Sequence, residues 1–378
     1  MPLYHDEDQA VLRDSAAEFM AAEAPPAHFR KFRDMDCKDG FSHALWKQFG
    51  EMGFAGMRIP ADQGGLGMGH VEAGIVLEEI GRNLTPSPFL ATSVIGVEAL
   101  RAADAALRER WFPGIAAGKT VIALAVDEGA KHRPEQIAML AERAGNGFTL
   151  TGRKQFVVQG GSADLLIVAS RTAGRPGETE GLTLFAVEKG AAGLSLEAAR
   201  LVDSSMGAHV TFDHVEVDGG AVIGAVDGGW ALLNRVLDAG RIGAAAEAIG
   251  VGGAAMDRTV DYLKQRKQFG RLIGEFQALQ HRAAHLYAEM EVARAAVLKA
   301  QQLLDEGSPE AELMVAVAKA KAGQAAGLAV SEGVQMHGGI GMTDEYDIGL
   351  YMKRDRALAE FLGDANFHAD RVARMLGY

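Results

Sequence analysis

Between Asp6 and about Gly118 the apolar residues recur at helical spacing, as in Leu45, Trp46, Phe49 and Met52 of SHALWKQFGEMGF and Val71, Ile75, Val76 and Ile80 of HVEAGIVLEEIG. That period gathers them on one face of each segment and predicts a helical first domain over residues 1–120, with RIPADQGGLGMG as a loop inside it. From Val121 to about Gly224 the period falls to two, through VIALAVDE, FTLTGRKQFVVQ, DLLIVASRT, LTLFAVE and HVTFDHVEV, with turn residues such as AGNGF between the runs. Alternation of this kind predicts strands, and hence a middle β domain, a barrel or sandwich, over residues 121–225. Helical spacing returns at Trp230 and holds through FQALQHRAAHLYAEMEVARAAVLKAQQLLDEG, and the next helix is expected to start at SPEAELM, capped by Ser308 with Pro309 in its first turn. Long amphipathic helices joined by short turns predict a four-helix bundle over residues 226–378.

Composition narrows the class of partner more than it alters the fold. The chain has 378 residues, 48% of them hydrophobic, enough for two or three domains with a large core. A formal net charge of −12 repels nucleic acid and acidic membrane surfaces, so neither is an expected partner, and any anionic ligand needs a local cationic patch. The single cysteine, Cys37, excludes an intrachain disulfide and fits a reducing compartment, so the cytoplasm is the expected location. The opening MPLYHDEDQAVLRDSAAEF has no apolar run, and no later stretch of about 18 residues is free of charge, so neither a signal peptide nor a membrane span is expected.

Local chemistry offers two minor signals. His281 and His285 stand one helical turn apart in HRAAH, but with no third ligand and no accompanying glutamate no metal site is expected. The run AGRIGAAAEAIGVGGAAM is rich in small residues, which predicts close helix packing, with a wide ligand pocket beside Arg241 as the alternative.

Helices, a β domain and a helical bundle in that order resemble the acyl-CoA dehydrogenase family, and several runs strengthen the resemblance over nearly the whole chain. These are LWKQFGEMGFAGMRIPADQGGLGMG and VLEEIGRNLTPSPF in the first domain, and YLKQRKQFGRLIGEFQALQHRAAHLYAEMEVARA and VQMHGGIGMTDEYDIGLYMKRDRAL in the bundle. The resemblance implies FAD as cofactor, an acyl-CoA substrate undergoing α,β-dehydrogenation, and an electron acceptor such as an electron-transfer flavoprotein. It also implies that Arg266, with Gln268 and Phe269, reaches across a subunit interface to the adenosine diphosphate half of FAD held mainly by another chain. Gln335, Gly338 and Gly339 resemble the second half of that clamp. A guanidinium can meet a diphosphate through paired, charge-assisted hydrogen bonds, and glycines let the backbone approach a ligand.

The chain departs from the family at the catalytic base. Laid on the family's Tyr-Glu-Gly-Thr run, FLGD places Leu362 at the glutamate, and Gly240 occupies the other position from which some members supply a base. Asp364 or Glu360 could serve as a displaced base. In KQFVVQGG, Phe156 and Val158 replace the tryptophan and threonine that serve the flavin ring, and the acidic glycine-rich loop is barely recognisable in VDEGAKHRPEQ. The run GDANFH resembles the small subunits of heteromeric bacterial acyl-CoA dehydrogenases acting on dicarboxylic or steroid-derived acyl-CoAs. The expectation is a heterotetramer in which a second subunit carries the base. The alternatives are a homomeric dehydrogenase with a displaced base and a non-catalytic scaffold of the same fold.

Overall fold

The structure, a computed structural model, describes residues 3–378. In chain order the helices are α1 (Glu7–Glu23), α2 (Pro26–Asp34), α3 (His43–Glu51), α4 (His70–Asn83), α5 (Val97–Leu100), α6 (Ala105–Ala116), α7 (Trp230–Gln265), α8 (Gln277–Asp305), α9 (Ala311–His337), α10 (Ile348–Glu360) and α11 (Ala365–Met375). The strands are β1 (Ile122–Ala125), β2 (Leu140–Ala144), β3 (Gly147–Val158), β4 (Leu165–Arg171), β5 (Leu182–Glu188), β6 (Leu194–Arg200), β7 (Met206–Val217) and β8 (Val222–Ile223), followed by a small hairpin, β9 (Lys267–Gln268) and β10 (Arg271–Leu272). The chain divides into two compact units. One comprises the N-terminal segment to Lys31 with Gly69–Thr85 and Arg241–Tyr378; the other comprises Phe32–Met68 and Pro86–Gly240.

The first unit is helical apart from its hairpin. α1 starts at a capping box, in which Asp6 accepts from the Gln9 amide and the Gln9 side chain accepts from the Asp6 amide. α4 has no capping side chain of its own kind at Gly69; its first amides, His70 and Val71, donate to the Asp305 carboxylate at 2.7 and 3.1 Å. That carboxylate ends α8, so one acidic group satisfies the orphan donors of another helix. Val71 and Ile75 of α4 pack with Leu298 of α8 and Leu12 of α1. The small-residue run is a close helix crossing: a Cβ on Gly250 would lie 1.9 Å from the Glu78 carbonyl oxygen, and one on Gly81 would lie 2.2 Å from that of Glu247. α9 packs against α8, α10 and α11. α9 is long and apolar enough to span a membrane, but half of its apolar window is buried within the protein, as in a core helix. The helix starts at Ala311 rather than at Ser308, because Ser308 instead closes a turn, accepting from the Glu310 amide through its hydroxyl and from the Ala311 amide through its carbonyl.

The second unit carries the eight-stranded sheet, ordered β6-β7-β3-β2-β4-β5-β8 with β1 parallel to β4. β4 and β5 are buried almost throughout, which explains why their runs are apolar rather than alternating. β3 pairs with β7 through two register irregularities, one between Leu150 and Gly152 and one between Lys154 and Val157.

Candidate functional site

The helical unit contains an open groove of about 510 Å³, within the size range of small-molecule sites. Its wall is built where two helices stop. α7 ends at Gln265 and runs into the β9–β10 hairpin, whose two-residue tip, Phe269 and Gly270, takes positive φ values of +55° and +78°. α9 ends at His337 because Gly338 turns to φ +65°, and a Cβ on Gly338 or Gly339 would meet nothing within 4 Å. Arg266, Gln268, Gln335, Gly338 and Gly339 all line this groove, so tertiary structure brings together two motifs that are far apart in sequence. Phe269 does not line it; the ring is 91% exposed at the hairpin tip, edge-on to Phe276, with the Arg271 guanidinium 4.0 Å over the Phe276 ring.

Seven lining residues lay outside the sequence expectation, and three of them are polar or aromatic: Tyr262, Arg282 and His337. His337 packs against both Tyr262 and Tyr346, with ring centroids 4.5 Å from each and the two tyrosine rings 6.3 Å apart. Its Nδ1–H donates to the Gly333 carbonyl at 2.7 Å, and burial lowers its pKa, favouring the neutral imidazole. The lining carries two arginines and no acidic residue. An exposed guanidinium, amide side chains and a backbone cradle without Cβ atoms fit the diphosphate end of a dinucleotide.

The turn Phe361–Gly363 between α10 and α11 has no ionisable side chain. It is fixed from below by buried donors. The Leu362 carbonyl accepts from Arg241 Nε at 3.3 Å and from His368 Nε2 at 3.2 Å. Lys319 Nζ donates to the carbonyls of Leu358, Ala359 and Gly363 at 2.9, 3.4 and 3.3 Å, satisfying the end of α10. Leu362 sits at φ +56° with its side chain buried, and a Cβ at Gly363, φ +108°, would strike the Phe367 ring at 2.3 Å. Arg241 is 1% exposed, with its guanidinium carbon 5.7 Å from the centre of the Phe367 ring. Asp364 is the N-cap of α11, accepting from the Phe367 amide at 2.8 Å. Burial, together with the positive charges of Arg241 and Lys319, pushes His368 down to about 2. Burial lowers Lys319 to about 8 and raises Asp355 to about 7.

In the sheet unit Phe156 occupies a bulge at φ +52°, its ring 46% exposed and edge-on to His209. Val158 pairs with Gly207 and offers no side-chain hydrogen bond. Two carboxylates of the loop after β1 are already paired within this unit. Asp127 holds His132 at 2.9 Å, and Glu128 accepts from the amides of Ala138 and Met139 and from buried Lys154 at 2.6 Å.

Family models for acyl-CoA dehydrogenase match three successive parts of the chain: the N-terminal domain over residues 6–119, the middle domain over 125–215 and the C-terminal domain over 227–377. FadE12, an acyl-CoA dehydrogenase of Mycobacterium tuberculosis, is 31% identical over 93% of the chain and 91% of its own length. The mitochondrial isovaleryl-CoA dehydrogenase of Pongo abelii is 30% identical over 94% and 85%. Among solved structures, the ChsE4–ChsE5 complex from Mycobacterium tuberculosis superposes with a TM-score of 0.90 at 25% identity, over 100% of this chain and 99% of that one. From these matches the chain belongs to the acyl-CoA dehydrogenase family of oxidoreductases, whose members are FAD flavoproteins.

Proposed function

We propose that this chain is the non-basic subunit of a heteromeric acyl-CoA dehydrogenase, completing a flavin site whose base stands on a second, related polypeptide. One observation carries the reading: Arg266, Gln268, Gln335, Gly338 and Gly339 line one groove, while the turn Phe361–Gly363 and Gly240 of α7 offer no group able to take a proton. Dehydrogenation of an acyl-CoA removes the α-proton to a base and the β-hydrogen with its electron pair to the cofactor, and the flavin, when bound, supplies that hydride acceptor. Arg266 neutralises the diphosphate, Gln268 and Gln335 orient it, and Gly338 and Gly339 admit it to the backbone. Arg241 serves the acyl side of the site through the turn whose carbonyl it holds. Asp364 as a displaced base is not favoured, since its carboxylate caps α11.

The assembly pairs unequal chains, as in the ChsE4–ChsE5 complex, and works in the cytoplasm on a dicarboxylic or steroid-derived acyl-CoA, passing electrons to an acceptor such as an electron-transfer flavoprotein. The test is reconstitution. The isolated chain should turn over no acyl-CoA, because loss of a positioned base costs about 10²–10⁴-fold, and addition of a family member carrying the glutamate should restore turnover. Ordinary turnover by this chain alone, abolished by Asp364→Asn, would overturn the proposal in favour of a displaced base.

A further inference from the structure

The groove poses a problem of charge. A dinucleotide diphosphate carries two negative charges, and of the two lining arginines only Arg266 is without a side-chain partner among the described residues. The other, Arg282 of α8, is gripped by Glu332 of α9 through two parallel contacts, Nε to Oε2 at 2.5 Å and Nη2 to Oε1 at 2.9 Å. Glu332 does not line the groove itself but lies one helical turn before Gln335, which does. Both side chains reach solvent, at 42% and 20% exposure, so neither is locked by packing. The hydrogen bond to Glu332 raises the pKa of Arg282 further, and the guanidinium stays charged throughout.

Resting on the reading of this groove as a diphosphate site, we propose that Arg282 is its second cation, held in reserve by Glu332, so that the incoming diphosphate competes with a carboxylate of this same chain for the guanidinium. The geometry supports exchange rather than permanent pairing. A two-pronged arginine fork fits a phosphate as well as it fits a carboxylate, and an exposed ion pair is a weak hold that salt or a stronger anion can displace. Glu332 then sets the threshold for binding. With it paired, the lining presents one net positive charge; once it is displaced or neutralised, the lining presents two.

The experiment is calorimetric titration of the full-length chain with ADP at several salt concentrations, with adenosine as the uncharged control. Glu332→Gln frees the guanidinium and should tighten ADP by about threefold to fivefold, the release of one exposed pair, while leaving adenosine unchanged. Arg282→Gln should weaken ADP by a similar factor and flatten the salt dependence. In the double variant the Glu332 effect should vanish, because the carboxylate then has nothing to hold. If Arg266→Ala weakens ADP while both Arg282→Gln and Glu332→Gln bind it as the unaltered chain does, Arg282 lies outside the site and the inference fails on its own. If neither ADP nor FAD binds the unaltered chain or its reconstituted complex, the groove reading falls and the inference with it.

Discussion

Asp355→Asn should make the protein more stable at neutral pH, and the reason lies in the cluster behind the Phe361–Gly363 turn. Asp355 is 7% exposed on α10, its Oδ1 has no hydrogen-bond partner, and no hydrogen bond among the described residues joins it to Lys319, whose ammonium is occupied by three carbonyls. Burial raises its carboxyl from an ordinary 3.8 to about 7, with Lys319 and then Arg356 opposing the rise. A carboxyl whose folded pKa is raised keeps its proton in the native state while the unfolded chain loses it. Stability therefore falls as pH climbs from about 4 to 7, at about 1.4 kcal/mol per pH unit for one proton. The whole interval amounts to about 4 kcal/mol as an upper bound, and relaxation around a buried charge should reduce it to about 2 kcal/mol. Asparagine keeps the shape and cannot ionise, and its introduction leaves the Lys319 hydrogen bonds in place. Urea unfolding of both proteins at pH 5 and pH 7.5 isolates the effect of Asp355 and the Lys319 coupled to it, because the titrations of uncoupled groups cancel in the difference. The variant's advantage should grow by about 1 kcal/mol between pH 5 and pH 7.5, the share of the ~2 kcal/mol that falls above pH 5. A difference that stays constant across this range, or a variant that loses stability at pH 7.5, would show that Lys319 holds Asp355 ionised and that the burial argument is wrong.

Arg266→Ala should leave urea unfolding unchanged within about 0.5 kcal/mol, as for a solvated cation, yet reduce flavin retention by the reconstituted complex about 10- to 100-fold, the worth of a charge-assisted pair. Unchanged flavin content would place the clamp elsewhere. Phe156, Val158 and the paired carboxylates of the loop after β1 lead to an expectation of one FAD per unequal pair; flavin absorbance against protein concentration showing one per chain would refute it. At the helix crossing, Gly250→Ala should destabilise by about 3 kcal/mol, because its Cβ would stand 1.9 Å from the Glu78 carbonyl oxygen. A shift below about 1 kcal/mol in urea would mean that α4 and α7 part easily.

The sequence by itself determined what depends on local order. The change of period at Val121 and its return at Trp230 marked strands and helices, because side-chain spacing of two or of three to four is set by the backbone a few residues at a time. The lack of a carboxylate at Leu362 and Gly240 was equally legible, since the absence of an ionisable group needs no coordinates. Arg266 and Gln335 could be singled out as types, but only the packing of the helical unit set RKQFG and QMHGG on one groove, across 69 positions of chain. The hairpin at Lys267–Leu272 was hidden because two-residue strands leave no period. The roles of Lys319, Asp355, His368 and Arg282 were decided by tertiary structure alone. In the sequence these are ordinary charged positions on amphipathic helices; whether a given lysine caps three carbonyls in the dark or stands in water depends on which helix lies against it. Burial then sets the pKa values and pairing sets the available charge, and neither quantity exists until residues distant in the chain become neighbours.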